Sequence, residues 1–302
     1  MPRDDGPVPG ETQGPGRARS DSAGPAPARR PAEALRTRIR GLATRFGLPV
    51  AFSLAMVGLW YLLSYVMLAD DRRFLLPPLH QVWTAAVSDA DVRGELLDGL
   101  GVTAKESFTG LAIATAAGML FAVAMNFRRW VERSFFPWAV VLQTIPILAL
   151  VPLIGGLFGF DFQARVIVTV LIALFPIITN TLFGLQSAEH NLHELLTLHK
   201  ASRATRFWTL EFPASLPATF TGLRIAAGLS VIGAIVGEFF FGRGEKGVGV
   251  LIDKYRGQAA TKELIAALLV SSLLGIVVFW GFSWLGRIST QRWHASADEA
   301  GV

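Results

Sequence analysis

The chain has 302 residues, of which 52% are hydrophobic and only 17% charged, with a formal charge of +5 and no cysteine. A soluble domain sits near a quarter charged, so the composition tilts toward lipid, and the missing cysteine excludes disulfides, iron–sulfur clusters and Cys-based zinc sites. The cationic excess lies in tails and short loops, as around membrane spans, which argues for a lipid neighbour and no nucleic-acid partner.

Residues 1–33 are rich in Pro, Gly, Ala and Arg and bury little apolar surface, which predicts a disordered tail. The first apolar block begins near Pro49, behind this Arg-bearing tail, so a cleavable signal peptide is not expected. Residues 34–48 carry Arg36, Arg38, Arg40 and Arg45; they read as a juxtamembrane amphipathic helix on an anionic membrane surface, or as a solvated helix.

A helix rises about 1.5 Å per residue, so about 20 apolar residues cross a hydrocarbon core of about 30 Å. About six blocks meet that length in a transmembrane domain over residues 49–286, which makes the fold class an all-α integral membrane protein. The blocks are 49–68, 107–127, 135–158, 164–185, 218–241 and 264–285. Trp60, Tyr61 and Tyr65 form an aromatic belt at one end of the first. The acidic, amphipathic stretch from Phe74 to Glu106 reads as an external segment with short helices. GLAIATAAG in the second block supplies small residues for close helix approach, and Arg128, Arg129 and Arg133 follow in a short loop. The third block contains Pro137, Pro146 and Pro152, and the fourth Pro176; prolines break backbone bonding, which lipid tolerates only beside a neighbour or a cavity. A polar connection over 186–217 separates the fourth and fifth blocks, and residues 287–302 form a short polar tail.

The arginines set orientation. Cytoplasmic N- and C-termini put the Arg-rich tail, the Arg128/Arg129/Arg133 loop, the 186–217 connection, Arg287 and Arg292 on one side, and the acidic 70–106 segment outside. The external loop 242–262 dissents, because it holds Arg243, Lys246, Lys254, Arg256 and Lys262.

Polar groups inside spans either glue helices together or line a pathway. Gln143, Thr144, Asn180, Thr181 and Ser230 are such groups, and the pathway reading is favoured near Pro146 and Pro176, where the helices break. Arg224 and Glu238 share the fifth block but lie about 21 Å apart along a helix, too far to pair. Arg224 is expected to snorkel or to bond the cytoplasmic connection. Glu238 is expected near the outer end, as a gate, a partner contact or an interfacial residue. Of these, Gln143, Thr144, Pro146, Asn180, Ser230 and Glu238 form the candidate translocation path.

The connection reads HELLTLHKASRATRFWTLEFPASLP, a helical pattern interrupted by paired prolines. Leu192, Leu195, Leu196 and Leu198 give it an apolar face that needs a partner or a membrane surface to cover it. His190, His193 and His199 are only loosely spaced like metal ligands, and a metal site is not expected.

This segment resembles the EAA loop of binding-protein-dependent ABC importer permeases, in which Glu-Ala-Ala is followed by Gly and, later, Ile-x-Leu-Pro. Glu194 holds the Glu position, Leu195 and Leu196 replace the alanines, and Leu210, Phe212 and Pro213 fill the end. Ala201, Ser202 and Arg203 are similar to the nitrate/sulfonate/taurine branch, as are LLPPLHQV, QTIPILALVPL, FPIITNTLFGL and GLRIAAGLSVIGAIVGEF. Lys200 stands where the family usually has Gly, so either the turn uses ordinary dihedrals or the helix runs on through position 200.

The resemblance implies a type I importer permease fold of about six helices, in a prokaryotic cytoplasmic (inner) membrane. It implies a homodimer with two copies of an ABC ATPase, seated on Glu194, Leu195, Leu196, Lys200, Ala201, Ser202, Arg203 and Pro213, and an extracytoplasmic substrate-binding protein. The cargo it implies is a small anion such as nitrate, a sulfonate or taurine, or a thiamine-pyrimidine or riboflavin-type compound. No lysine follows a glycine as a Walker A loop requires, so this chain is read as non-catalytic and free of cofactor, with ATP-Mg bound by the partner ATPase. The alternative is an ion-gradient-driven secondary transporter, which would show inverted repeats and intramembrane acids.

Overall fold

Backbone groups in hydrocarbon find no water, so apolar blocks of bilayer length must bond their own N–H and C=O groups. The computed structural model describes residues 31–290, with side chains from 47 to 289, and among these the regular structure is helical throughout. The tail predicted to be disordered therefore lies outside the described residues up to position 30, as does the C-terminal tail from 291.

Internal contacts divide the chain between Leu59 and Trp60. Helix α1 (Pro31–Leu62) is continuous, so the expected juxtamembrane helix and the start of the first span are one element. Its apolar part, Gly47–Met67, is long enough to cross a bilayer and ends in a π turn over Leu63–Met67.

Beyond a short 3-10 turn (Asp70–Leu75), α2 (Leu79–Ser88) leads into α3 (Ala90–Phe127). Asp89 starts α3 by accepting from the N–H groups of Asp91 and Val92, an N-cap that the sequence SDADV allows. The second span is thus the lower part of a 38-residue helix that reaches well above position 107. Next come α4 (Arg129–Thr144), α5 (Ile147–Phe158), α6 (Phe162–Gln186), α7 (His190–Leu198), α8 (Arg203–Arg206), α9 (Phe212–Phe240), α10 (Val248–Gly257) and α11 (Thr261–Thr290).

Two span expectations change. The third span is not straight: α4 and α5 meet at 100°. The residue before a proline is pushed out of the helical region, and Ile145, at φ −67° and ψ 125°, is extended ahead of Pro146. Among the described residues there are therefore five helices long and apolar enough to cross, or six if the bent pair counts as one. The fifth span also begins earlier than position 218, since helical backbone runs from Arg203 to Phe240. The paired prolines do not interrupt it. Pro213 falls in the first turn of α9, directly after a π turn (Phe207–Glu211) in which Phe212 N–H bonds Phe207 O. That shift of register comes just where proline cannot donate.

Lipid tails are as apolar as leucine, so helices associate by close packing rather than by escape from water. Here α3, α6 and α9 share a core of Leu111, Ala114, Ala173, Ile177, Leu223, Ala226, Ala227 and Val231. A Cβ on Gly222 would lie 2.7 Å from Pro176 O, and one on Gly237 2.9 Å from Arg165 Cα, so glycine at both lets α9 meet α6 backbone to backbone. A second core, with Val82, Leu96, Val248, Leu251 and Tyr255, seats α10 against α2 and α3. Here two of the dissenting cations find acids, Lys254 at 2.6 Å from Glu95 and Arg256 at 2.6 Å from Asp253, and Lys105 from α3 reaches Glu245 of the same loop at 3.4 Å. Tyr255 also donates to Glu95 at 2.8 Å. Burial, then that bond, push the phenol above its usual range, so it remains a donor.

Candidate functional site

The antiparallel helices define two ends, each with a polar assembly. At the arginine-rich end, α7 buries none of its residues. Leu192, Leu195 and Leu198 are 41%, 48% and 81% exposed, while Leu196 is half-buried. Exposed Glu194 contacts exposed His190 at 3.2 Å, a surface pair of little energetic weight. His199 Nδ1 lies 2.9 Å from Leu195 O, and among the described residues no three potential ligands gather around a metal position.

The turn after α7 overturns both expectations for Lys200. The helix stops at Leu198, and Lys200 takes the left-handed conformation, with φ 53°. Lys200 N–H donates to Thr197 O and Ala201 N–H to Leu196 O, each at 2.9 Å, which is a Schellman closure. These bonds satisfy carbonyls that would otherwise be orphaned, and they outweigh the roughly 1–2 kcal/mol that the conformation costs a side-chain-bearing residue.

Ser202 then caps α8 by accepting from Thr205 N–H at 3.1 Å. Arg203 donates to Asn126 O at 2.9 Å and lies over the Phe127 ring, while Asn126 Nδ2 donates to Glu211 Oε2 at 2.6 Å. Phe127 in turn packs on Phe207, with centroids 5.2 Å apart. These contacts tie the residues that follow α7 to the end of α3. Leu195, Leu198, Glu194 and Lys200 stay outward.

At the opposite end three ionisable side chains are almost completely buried. Arg165 and Glu106 are 1% exposed and Glu238 is 0% exposed. Arg165 Nη1 donates to Glu106 Oε1 and to Glu245 O, both at 2.9 Å; its Nε donates to Phe241 O at 2.7 Å and its Nη2 to Arg243 O at 2.6 Å. Glu238 accepts from Thr103 Oγ1 at 2.6 Å and from Gly249 N–H, and Val248 N–H donates to the same threonine at 2.9 Å. Glu106 Oε2 has no hydrogen-bond partner among the described residues. A Cβ on Gly247 would collide with the Glu238 carboxyl group, so only glycine lets that loop close over it. The knot fastens the α9–α10 loop to α3 and α6.

The candidate path residues do not converge. Gln143, Thr144 and Pro146 sit at the α4–α5 break and are exposed. Asn180 is half-buried, donates to Pro176 O at 2.8 Å and lies against Gly222. Ser230 is buried within α9 and returns its proton to Ala227 O at 2.8 Å. Glu238, read from the sequence as a gate, a partner contact or an interfacial residue, is buried inside the knot. Arg224 does not reach the connection; its guanidinium lies 5.4 Å over the Phe279 ring of α11.

Sequence reasoning missed Arg165 and Glu106 because both lie at span edges, where a charge reads as a boundary. The available signal was an arginine just inside the fourth block, since an intramembrane charge is a functional suspect by default.

These features define the class of polytopic helical membrane proteins, here with an exposed polar helix between two spans and a knotted loop at the far end. The profile described as "Binding-protein-dependent transport system inner membrane component" matches residues 114–292, and the chain belongs to that family. It is similar to the formylaminopyrimidine transport permease protein of Halalkalibacterium halodurans, with 33% identity over 76% of this chain and 90% of that one. It is also similar to the riboflavin transport system permease protein of Chloroflexus aurantiacus (34% identity; 56% of this chain, 62% of that one). The nitrate import permease protein of Leptolyngbya laminosa is 26% identical over 86% of this chain and 93% of its own. The chain is a permease subunit of an ABC importer, which takes the place of the gradient-driven alternative.

Proposed function

We propose that two copies of this chain form the path of an importer whose ATPase pair docks on α7 and the turn after it, with both termini on that cytoplasmic side of the inner membrane. The observation that carries this reading is the outward face of α7, where Leu192, Leu195 and Leu198 stay exposed on a helix held between two spans. Apolar surface of this kind is stable only when covered. ATP is bound and hydrolysed by the partner, and a binding protein delivers cargo at the opposite end. Closure of the ATPases moves α7, and the Arg203–Asn126–Glu211 contacts carry that motion to α3 and α9.

The cargo we infer is a neutral or weakly charged heterocycle of the pyrimidine or flavin kind. The relatives at 33% and 34% identity carry pyrimidine and flavin names, which supports this reading. Nitrate or a sulfonate is the second reading, supported by the nitrate relative.

Glu194→Arg, a fully surface change, is expected to lower co-purification of the ATPase at least tenfold while membrane insertion stays normal; unchanged co-purification would sink the docking assignment. For cargo, the reconstituted importer with its binding protein should take up a labelled aminopyrimidine or riboflavin, with nitrate and taurine not competing. Competition by either anion reverses the choice.

A further inference from the structure

Between α4 and α6, at the arginine-rich end, lies a cleft of about 620 Å³ that the docking and path assignments leave unused. Two helix faces build it. On α4, Arg129, Arg133, Phe136 and Pro137 follow at i, i+4, i+7 and i+8, so the charged residues stand at the helix start and the apolar ones below them. On α6, Thr179, Leu182, Phe183 and Gln186 follow at i, i+3, i+4 and i+7, with the apolar pair below the terminal glutamine.

The rim is cationic. Glu132 is the acid in the cleft, and its Oε1 already accepts from Gln186 Nε2 at 3.1 Å. Arg129 and Arg133 are exposed and have no ion-pair partner among the described residues. Two guanidinium groups against one engaged carboxylate leave an excess of one positive charge over an apolar wall. Pro137 adds an acceptor, because it cannot donate to the carbonyl of Arg133 four residues earlier. Phe183 is 70% exposed and Phe136 36%, so the wall is open to whatever lies alongside.

The order of these groups along the membrane normal matches one ligand chemistry. Guanidinium groups bind phosphate oxygens in a forked geometry, and basic clefts between spans suit anionic headgroups. The aromatic wall below, running toward the middle of the bilayer, suits an acyl chain. We propose that this cleft is a binding site for an anionic glycerophospholipid of the phosphatidylglycerol class, with phosphate on Arg129 and Arg133 and a chain against Phe136, Leu182 and Phe183. A free inorganic phosphate would use the rim and leave the wall idle.

The test uses the intact importer complex, purified in neutral detergent and titrated with dioleoyl phosphatidylglycerol or dioleoyl phosphatidylcholine, with bound lipid counted by native mass spectrometry. Phosphatidylglycerol should bind at least fivefold more tightly than phosphatidylcholine. The Arg129→Gln/Arg133→Gln pair should remove that preference, Phe183→Ala should weaken phosphatidylglycerol several-fold, and 10 mM inorganic phosphate should not displace it. Arg129→Lys/Arg133→Lys keeps the charge but not the fork; it should fall between wild type and the Gln pair, which guards against a variant that simply misfolds. Equal binding of both lipids, or a Gln pair that still prefers phosphatidylglycerol, overturns the site. Displacement by phosphate together with an inert Phe183→Ala overturns the lipid in favour of a soluble anion.

Discussion

At the arginine-rich end Glu194 and His190 keep 67% and 85% of their side-chain surface exposed, whereas at the far end Arg165, Glu106 and Glu238 keep 1% or less. Both ends bring an acid to a nitrogen base at contact distance, but water surrounds the first set and is excluded from the second. Screening makes the surface pair nearly worthless for stability, so α7 is free to be shaped by a partner. Exclusion makes the buried knot costly to break, because each charge left alone has lost its water and its counter-charge together. On the docking proposal, one end is therefore available to a partner while the other is held fast.

The largest test of that contrast is Arg165→Met. It leaves two carboxyl groups facing each other and three loop carbonyls without their donor. A loss of about 3–5 kcal/mol is expected, seen as early aggregation in a detergent-solubilised melting assay. Adding Glu106→Gln to that variant should recover part of the loss. A melting temperature equal to wild type would mean that the knot is not under tension at all.

Within the knot the two acids are unequal. Both oxygens of Glu238 are engaged, by Thr103 and Gly249, while Glu106 Oε2 has no donor. Glu238→Gln replaces an engaged acceptor with a donor and should cost about 1–3 kcal/mol. Glu106→Gln removes the carboxylate that pairs with buried Arg165 and should cost more, about 3–5 kcal/mol. The reverse ranking in matched melting curves would show that the roles are exchanged.

At the exposed end stability should barely move while binding does. Leu195→Asp is expected to change the melting temperature by no more than a surface substitution does, within about 0.5 kcal/mol, yet to reduce ATPase retention on an affinity column at least tenfold. Loss of the fold along with retention would mean that α7 is held by this chain rather than by a partner.

The smallest effect concerns two turns of one kind. Lys200 ends α7 and Ala259 ends α10, with φ 53° and 54°, each closed by the same pair of backbone bonds. Glycine at either position should relieve about 1 kcal/mol of local strain, slowing amide exchange in the adjoining turn about fivefold. If Lys200→Gly also raises transport per ATP, the strain at the coupling turn is a functional feature; an equal result at Ala259 would make it merely structural.

Legibility in the sequence followed distance along the chain. The apolar blocks and the helix with its outward leucines are local patterns, and each is present in the structure near its expected place; the expected Arg128–Arg133 loop is not a loop, because α4 already begins at Arg129. Pro146 was visible as a break, but its 100° size was not, because an extended Ile145 allows many directions and packing selects one. The prolines at 213 and 217 misled in the opposite sense: a one-residue register shift before Pro213 let the helix pass. Glu106, Arg165 and Glu238 are separated by 59 residues or more, and nothing in their neighbours along the chain says that they meet.

By itself the sequence determined that this chain crosses a membrane several times and which family it resembles. Those conclusions rest on hydrophobic length and on short-range motifs, which are properties of consecutive residues. Tertiary structure alone decided that Lys200 turns left-handed, that Glu238 is locked rather than exposed, and that Arg165 is the hub holding the far loop closed. The physical reason is the same in each case. A buried charge or a strained dihedral is tolerable only when distant groups supply its bonds, and only the folded chain brings those groups together.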